Sequence, residues 1–440
     1  MAQRDATVAI VGAGMSGLFA ARELHRQGID VLVLEAVDRL GGRALTETTV
    51  LGSRVDLGGQ WIGHDHHRVT ALAAELGATK YAMHTRTLPQ AIDGDRTLSM
   101  LSPEGLEATA CLTIVAALSE FGGTERWGDS TVQSWLDHVP GASVRRLLEV
   151  IAQISWTVDL DRYSVDSLAK MIRREGGIKD MLSTSGGAQE SLLVEGIGAL
   201  IDGMAAELGP RVRTGSRVTA IVRDDSGVTL RTSSGEVRAA KVIVTAAPPM
   251  ARKIEHQPAL PPGRVALEEN TSMGSVYKAI AVYDEPFWRE GKGGEFIILD
   301  RPGGGVFDTS PVGGPGHLCF LAGGPSAREM SQLDAQARRE AVLAPLARHL
   351  GSRILQPAGW HEKSWHLDEF VGGGSSAVPD PGMSELRLPM WSEPIGHIHW
   401  AGTETADDHA GYYEGAIESG SRVAREVAAA LTANTTRGTR

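Results

Sequence analysis

Only two cysteines, Cys111 and Cys319, occur in 440 residues. That number excludes a disulfide framework, and neither cysteine has neighbours at metal-ligand spacing. Free thiols suit a reducing compartment, and both are expected as small buried apolar side chains. Long hydrophobic runs are also missing. The first apolar run, Val8 to Val11, is far short of a leader, and no stretch reaches the roughly 18 apolar residues that a bilayer span requires. A soluble, cytoplasmic protein without a membrane partner is the expectation. Positive charge is in deficit, with a formal net charge of -11. Phosphate binding needs a basic footprint, so nucleic acid is not an expected partner. The balance of 42% hydrophobic and 22% charged residues is that of a globular chain. This length favours two lobes over one. A homodimer is left open.

Glycine, in contrast, is abundant, with 53 residues, which points to tight turns and close backbone approaches. Thr7 to Val11 reads as a buried parallel strand, Met15 to Gln27 as a helix with Leu18, Ala21 and Leu24 on one face, and Val31 to Leu34 as a second strand. Residues 65 to 194 are mostly helical in pattern. From Arg211 to Thr245 the texture changes to β-rich runs separated by Asp224-Asp225-Ser226-Gly227 and Ser233-Ser234-Gly235, a meander. Further strands are expected at Ser275 to Tyr283, Glu295 to Leu299, Leu318 to Ala322 and His397 to Ala401. Gly/Pro-rich loops are expected at Arg301 to Gly305 and Pro311 to Gly316. Helices are expected at Ala335 to Leu350 and Gly415 to Leu431, and the polar tail from Thr432 to Arg440 as disordered.

The densest signal lies at the first turn. Gly12-x-Gly14-x-x-Gly17 follows a strand and opens a helix. Gly12 permits the turn, Gly14 lets the backbone approach a pyrophosphate, and Gly17 lets helix and strand pack closely. The helix N-terminus then faces the negative charge. Glu35 ends the next strand, where a carboxylate accepts bonds from ribose hydroxyls. This much means a dinucleotide and does not separate NAD from FAD. A second set of contacts does. Arg39, Gly42 and Arg43 come within ten residues of Glu35, and Gly58-Gly59-Gln60-Trp61 follow shortly after. Paired glycines beside an arginine suit a second loop on the diphosphate. Near the C-terminus, Gly402-Thr403-Glu404 ends a strand and is followed by a helix, a segment suited to closing over the ribityl chain and ring.

Lys278 sits on an apolar strand, Val276 to Val282. It is either a snorkelling edge-strand lysine or a buried functional one, since a buried lysine without a role is expensive. His66-His67 and Asp407-Asp408 read as solvated turns, and no metal is expected.

These blocks together resemble the flavin-containing amine oxidases of the monoamine oxidase type. The resemblance runs from Val8 to about Leu431. It is carried by the Gly12 motif, Leu40 to Arg43, Gly58 to Gly63, Gly187-Ala188-Gln189-Glu190, Gly274 to Lys278, Pro286 to Arg289 and the Gly402 to Gly415 block. It implies an α/β, two-lobed fold with a Rossmann-like dinucleotide-binding domain and a mixed α+β substrate domain. The first draws on residues 1–64, 195–262 and 370–440, the second on 65–194 and 263–369. It implies FAD, an amine substrate oxidised at its C–N bond to an imine, and oxygen reduced to hydrogen peroxide.

The implied cofactor set is Gly12, Gly14, Met15, Ser16 and Gly17; Glu35 and Ala36; Arg39, Gly42 and Arg43; Gly58, Gly59, Gln60 and Trp61; Val218 and Trp365; and Gly402, Thr403, Glu404 and Tyr412. Lys278 matches the lysine that faces the flavin and assists the reaction with oxygen. Tyr412 matches one of the two aromatic residues that flank the amine. The second aromatic position is Ser375 here, and the preceding position, where a cysteine can bond the flavin, is Gly374. Non-covalent FAD and a half-open cage follow, with room for a bulkier or more polar amine. Leu182 and Gln189 fall where the family lines its cavity. His409 either faces the cavity or is a satisfied loop residue.

Two rivals remain open. One is another oxidase or desaturase on the same scaffold, for which an amino-acid substrate would need a cavity arginine; Arg86, Arg173 and Arg174 fall in the substrate lobe, but nothing in the sequence places them near the ring. The other is a flavin-binding partner protein without turnover.

Overall fold

The computed structural model describes residues 4–85, 89–121, 130–174, 176–290, 296–380, 383 and 389–437. The chain opens with β1 (Ala6–Val11), α1 (Met15–Arg26) and β2 (Val31–Leu34). α2 (His67–Glu75) leads to a hairpin, β3 (Gln90–Asp93) and β4 (Arg96–Ser99), and then to α3 (Ala142–Trp156). α4 (Gly198–Leu208) and β5 (Val212–Arg213) precede the meander β6 (Val218–Asp224), β7 (Gly227–Thr232) and β8 (Gly235–Val244), which β9 (Glu255–Gln257) follows. Next come β10 (Val276–Tyr283), β11 (Phe296–Leu299), β12 (Gly304–Asp308) and β13 (Gly316–Gly323). The chain finishes with α5 (Ala335–Leu350), β14 (Gly359–Ser364), β15 (Ile398–Trp400) and α6 (Tyr413–Arg437).

Two sheets organise these elements. The first has eight strands in the order β9-β6-β7-β8-β1-β2-β5, with β15 also pairing β8. β8, β1, β2, β5 and β15 run parallel, in register through Val242↔Ile398, Ile10↔Ile243 and Ile10↔Val33. The meander is antiparallel, and its first turn is closed by the Asp224 carboxylate, which accepts from Ser226 N at 2.7 Å and Gly227 N at 3.1 Å. β2 is buried at every residue because it is covered on both faces, as parallel strands are. Val31 and Val33 pack with Leu18 and Leu24 of α1, with Met204 and Leu208 of α4, and with Val423 and Val427 of α6. Leu32 and Leu34 pack on the opposite side with Val218, Leu230 and Val244. Val69, Leu72 and Ala73 of α2 belong to the first of these cores.

The second sheet has seven strands in the order β14-β10-β13-β12-β11-β3-β4, antiparallel except where β11 meets β3. Side chains alternate across β10. Tyr277, Ala279 and Ala281 pack beneath α5 with Leu343 and Leu346. Ile280 and Val282, and with them Lys278, take the other face, where Leu57 and Cys319 also pack. This period of two is what aims Lys278 at the segment around Gly58.

Three expectations are corrected. β12 begins at Gly304, inside the span expected as a loop, because it pairs on both sides with β11 and β13. The β3–β4 hairpin interrupts the stretch expected to be mostly helical, since it extends the second sheet through β11. α6 continues to Arg437, so residues 432–437 prolong the helix rather than dissolving, and residues 438–440 lie outside the described residues. Among the described residues, no helix is long and apolar enough to cross a membrane. Both cysteines are free; Cys319 is buried and Cys111 half-buried.

Candidate functional site

A cavity of about 430 Å³ runs along the carboxyl ends of β1 and β2 and is walled by residues from both sheets. The turn after β1 forms one end. Gly12 has φ +105°, and a Cβ there would lie 2.6 Å from the Thr245 hydroxyl. A Cβ on Gly17 would lie 2.1 Å from the Gly12 carbonyl oxygen, so Gly17 is fixed by helix–strand packing and does not itself line the cavity. Gly14, Met15 and Ser16 do line it. The N-terminus of α1 has no side-chain cap and no acidic residue in its first turn. Its positive end therefore faces the cavity without a side-chain cap or an acidic residue of its own, as a diphosphate would require.

Glu35 also lines the cavity, beside Ala36. Its carboxylate accepts from Ala13 N at 2.9 Å and Val37 N at 3.2 Å, which orients it and leaves lone pairs for ribose hydroxyls. Arg39, Gly42, Arg43, Gly58, Gly59 and Val218 continue the wall. Arg39 spends its donors on the carbonyls of Leu40, Gly42 and Ala44 and so pins its own loop. Arg43 reaches the Ser375 carbonyl at 2.7 Å and forms a fork with Glu404 at 2.6 and 3.0 Å. Glu404 is 1% exposed and is not part of the cavity wall. Burial alone would raise its carboxyl, but Arg43 outweighs this and holds it below the ordinary carboxylate range. Glu404 thus acts on the cavity through Arg43.

The C-terminal block is knitted to the first turn. Gly402 N donates to Ser16 Oγ and Ser419 Oγ, both at 3.2 Å. Thr403 Oγ1 accepts from Gly411 N at 2.7 Å and donates to the Tyr412 carbonyl at 2.9 Å. Gly402, Thr403 and Tyr412 all line the cavity. The Tyr412 ring meets His66 edge to face at 5.1 Å.

Lys278 lies in the same wall although it is only 2% exposed. Its ammonium donates to the Gly58 carbonyl at 2.8 Å and to Gln60 Oε1 at 2.7 Å, and stands 5.6 Å from the Trp61 ring centre. Gln60 in turn approaches Cys319 Sγ at 3.6 Å. Burial pushes the Lys278 pKa below that of an ordinary lysine. Burial likewise pushes the neighbouring Asp56 up to about 6, against the pull of Thr46, Lys278 and Ile197. Trp365 lines the cavity and donates to the Leu57 carbonyl at 2.7 Å.

Ser375 and Gln189 line the cavity, whereas Leu182 and His409 do not. Leu182 is half-buried against the core beside α3. His409 has φ 52°, packs against His66 with ring centres 4.8 Å apart, and lies 3.3 Å from an Asp65 oxygen. It stands behind Tyr412, so the expectation that it contributes to the substrate cavity is corrected. His66 is corrected: it is 1% exposed, not on a solvated turn, whereas His67, Asp407 and Asp408 are exposed. Asp65, His66 and His409 offer ligand atoms within 4.8 Å of one another. His66 Nδ1, however, accepts from Gly63 N at 2.9 Å, so its neutral form carries the proton on Nε2 and has no lone pair left for an ion. Arg173 is spent on the Ser119 carbonyl; Arg86 and the Arg174 side chain lie outside the described residues.

The rest of the wall was not foreseen. Ile154, Trp156 and Thr157 at the end of α3, with Tyr163, Met171 and Met181, close the far end. No motif marks them. The available signal was an amphipathic helix ending in Trp-Thr, which ordinary core packing explains equally well.

The donor set therefore fits FAD: an uncapped helix end, a ribose carboxylate, a buttressed arginine and an apolar chamber beyond. The family model for flavin containing amine oxidoreductase matches residues 15–428. AofH of Mycobacterium tuberculosis, assigned to the flavin-containing monoamine oxidases, is 37% identical across 96% of this chain and 97% of its own. Human flavin-containing amine oxidase B is 30% identical across 96% and 86%. Among solved structures, cyclohexylamine oxidase from Brevibacterium oxydans superposes with TM-score 0.90 at 29% identity, covering 97% of this chain and all of that one. Putrescine oxidase bound to putrescine gives TM-score 0.85 at 26% identity, covering 96% and 99%. The chain belongs to the flavin-containing amine oxidoreductases and is an FAD-dependent amine oxidase.

Proposed function

We propose that the substrate is an apolar monoamine, of cycloalkyl or arylalkyl type, and that FAD is held without a covalent bond. One observation carries the substrate reading. Among the described residues, the wall contributed by residues 154–189 bears no charged side chain. A diamine such as the putrescine of the second structural relative would leave its distal ammonium without a partner there, which is costly. An amine like that of the cyclohexylamine oxidase would bury its ring against Trp156, Tyr163, Met171 and Met181 and be favoured by area. The same chamber disfavours an ammonium, so the amine enters unprotonated.

Bound FAD supplies the two-electron acceptor for oxidation of the C–N bond to an imine, with oxygen finally reduced to hydrogen peroxide. The chain's own residues do the positioning. The first turn, Glu35, Arg43 and the Gly402 block hold the dinucleotide. Tyr412 flanks the amine, and Ser375 leaves the opposite side of the cage open. Lys278 assists the reaction with oxygen. Gly374 has no thiol with which to tether the cofactor. The dinucleotide lobe is taken as residues 1–64, 195–262 and 370–440, the substrate lobe as 65–194 and 263–369. The two free thiols fit a reducing, cytoplasmic setting.

Anaerobic bleaching of the purified yellow protein tests the reading. Cyclohexylamine and an arylalkylamine should bleach it at least about 100-fold faster than putrescine at equal concentration, a difference of about 2.7 kcal/mol. Faster bleaching by putrescine, or bleaching by amino acids alone, overturns the substrate class. After acid precipitation all the yellow colour should be in the supernatant; colour in the pellet refutes non-covalent binding.

A further inference from the structure

Thr157 was not singled out by any motif, yet it stands where four segments cross. It follows the last residue of α3, is 4% exposed and lines the cavity. Its backbone is left-handed, with φ 60° and ψ 13°. Glycine or asparagine would end a helix there without strain, whereas a β-branched residue is an outlier. Something must favour threonine, and its hydroxyl is engaged as both donor and acceptor. Oγ1 donates to the Gly374 carbonyl at 2.6 Å and accepts from Ser375 N at 3.2 Å. Its carbonyl accepts from Ser275 N at 2.8 Å and Gly324 N at 3.2 Å, and its N–H donates to Gln153 at 2.9 Å. A Cβ on Gly274 would fall 2.1 Å from the hydroxyl, so the chain keeps glycine there and the hydroxyl has room.

The loop it grips is the one beside the cofactor site. Ser375 O accepts from Arg43 at 2.7 Å, and Ala377 N donates to Glu404 at 3.2 Å. Residues 374–377 are therefore pinned from the dinucleotide side by Arg43 and Glu404. From the substrate side the hydroxyl of Thr157 holds them. Strain at a buried cavity residue, joined to hydrogen bonds that only its side chain supplies, is the pattern of a residue retained for placement.

We propose that Thr157 is a positioning residue: its hydroxyl fixes the Gly374–Ser375 loop against the FAD site and registers the amine chamber to it. The proposal rests on the amine oxidase assignment but not on which amine is preferred. The test compares Thr157→Val, Thr157→Ser and Thr157→Gly. Valine keeps shape and strain but loses the hydroxyl, serine keeps the hydroxyl, and glycine loses both hydroxyl and strain. Two readouts are taken. One is the Kd of FAD from fluorescence titration of the full-length apoprotein. The other is the rate of anaerobic bleaching by the best amine, set against the rate of reoxidation by oxygen.

Valine should raise the Kd for FAD about tenfold and slow bleaching about tenfold, with reoxidation little changed. Serine should stay within about twofold of the parent on every readout. Should the valine protein not fold, glycine and serine decide: glycine impaired with serine intact supports the proposal. Glycine equal to the parent, serine as impaired as valine, or bleaching and reoxidation falling together would each overturn it.

Discussion

The two ends of the cavity are built from different kinds of chain. The dinucleotide end is made of backbone: turns at Gly12 and Gly41–Gly42, the start of α1, and a few charged side chains that brace one another. The amine end is made of side chains, among them Trp156, Tyr163, Met171 and Met181, carried on helices and the loops that join them. A backbone site tolerates almost no change in its residues, because the space is taken by atoms that no substitution removes. A side-chain chamber can be rebuilt residue by residue while the scaffold stays put. Binding of FAD should therefore be brittle, and choice of amine plastic.

The sharpest way to break that contrast is at Gly17. A Cβ there would sit 2.1 Å from the Gly12 carbonyl oxygen and 3.2 Å from Thr245 Oγ1. The obstructing atom is main chain, so relief requires moving the turn itself. Gly17→Val should abolish FAD binding or folding outright, read as the ratio of flavin to protein absorbance after purification. Met181→Leu, at the other end, should leave that ratio unchanged, since volume-conserving apolar exchanges cost less than about 1.5 kcal/mol. A yellow Gly17→Val protein would mean that the first turn is softer than its packing implies.

Lys278 belongs to neither end and sharpens the comparison from between them. It comes from the second sheet but spends its donors on Gly58 and Gln60, next to the dinucleotide turn. Lys278→Met keeps the length of the side chain and removes the charge. Reoxidation by oxygen should slow by about 100-fold, or about 2.7 kcal/mol, with bleaching by amine within about threefold of the parent. Stopped-flow traces of the two half-reactions separate these. Equal reoxidation rates would leave Lys278 as a buried structural lysine, bonded to Gly58 and Gln60 but without a part in the reaction with oxygen.

The same contrast explains what could be read in advance. The first βαβ unit was legible to within a residue because its signals are local: a strand, a glycine turn, a helix and an acid in sequence. Lys278 was conspicuous as a charge on an apolar strand, but the strand alone left snorkelling and burial open; burial follows from the strands paired on both of its sides, β13 and β14. The chamber was not legible. Trp156 and Met181 are apolar residues on helices, and nothing in the sequence tells a residue that packs a core from one that lines a void. Thr157 hides its strain, since φ is not written in composition. Leu182 missed the wall by one position beside Met181, a single step around a helix that turns by about 100° per residue. β12 was mistaken for loop because two glycines open it, although pairing on both sides overrides their low strand preference.

The smallest predicted effect concerns the layer behind the cage. His66 is buried between His409 and Tyr412, and burial, helped by His409, pushes its pKa down to about 4. The folded protein therefore holds it neutral, while the unfolded chain takes up a proton near pH 6.5. Between these values the unfolded state binds more protons. Stability is fully present above about 6.5 and is lost as pH falls towards 4. From pH 7 to 5 this one group should remove on the order of 2 kcal/mol. Asp56, pushed up to about 6, acts in the opposite direction: it favours the fold at low pH and withdraws that support as pH rises from about 4 to 6. The raw pH profile therefore mixes both signs, but the difference between parent and His66→Gln isolates the histidine. The glutamine amide oxygen can still accept from Gly63 N and has no proton to gain. Denaturant melts at pH 7 and pH 5 should show the variant losing about 2 kcal/mol less than the parent over that interval. An identical loss in both would place His66 outside the acid-sensitive set. His317, also buried, and His256, half-buried, both held near 4 by desolvation, would then be the groups to remove next.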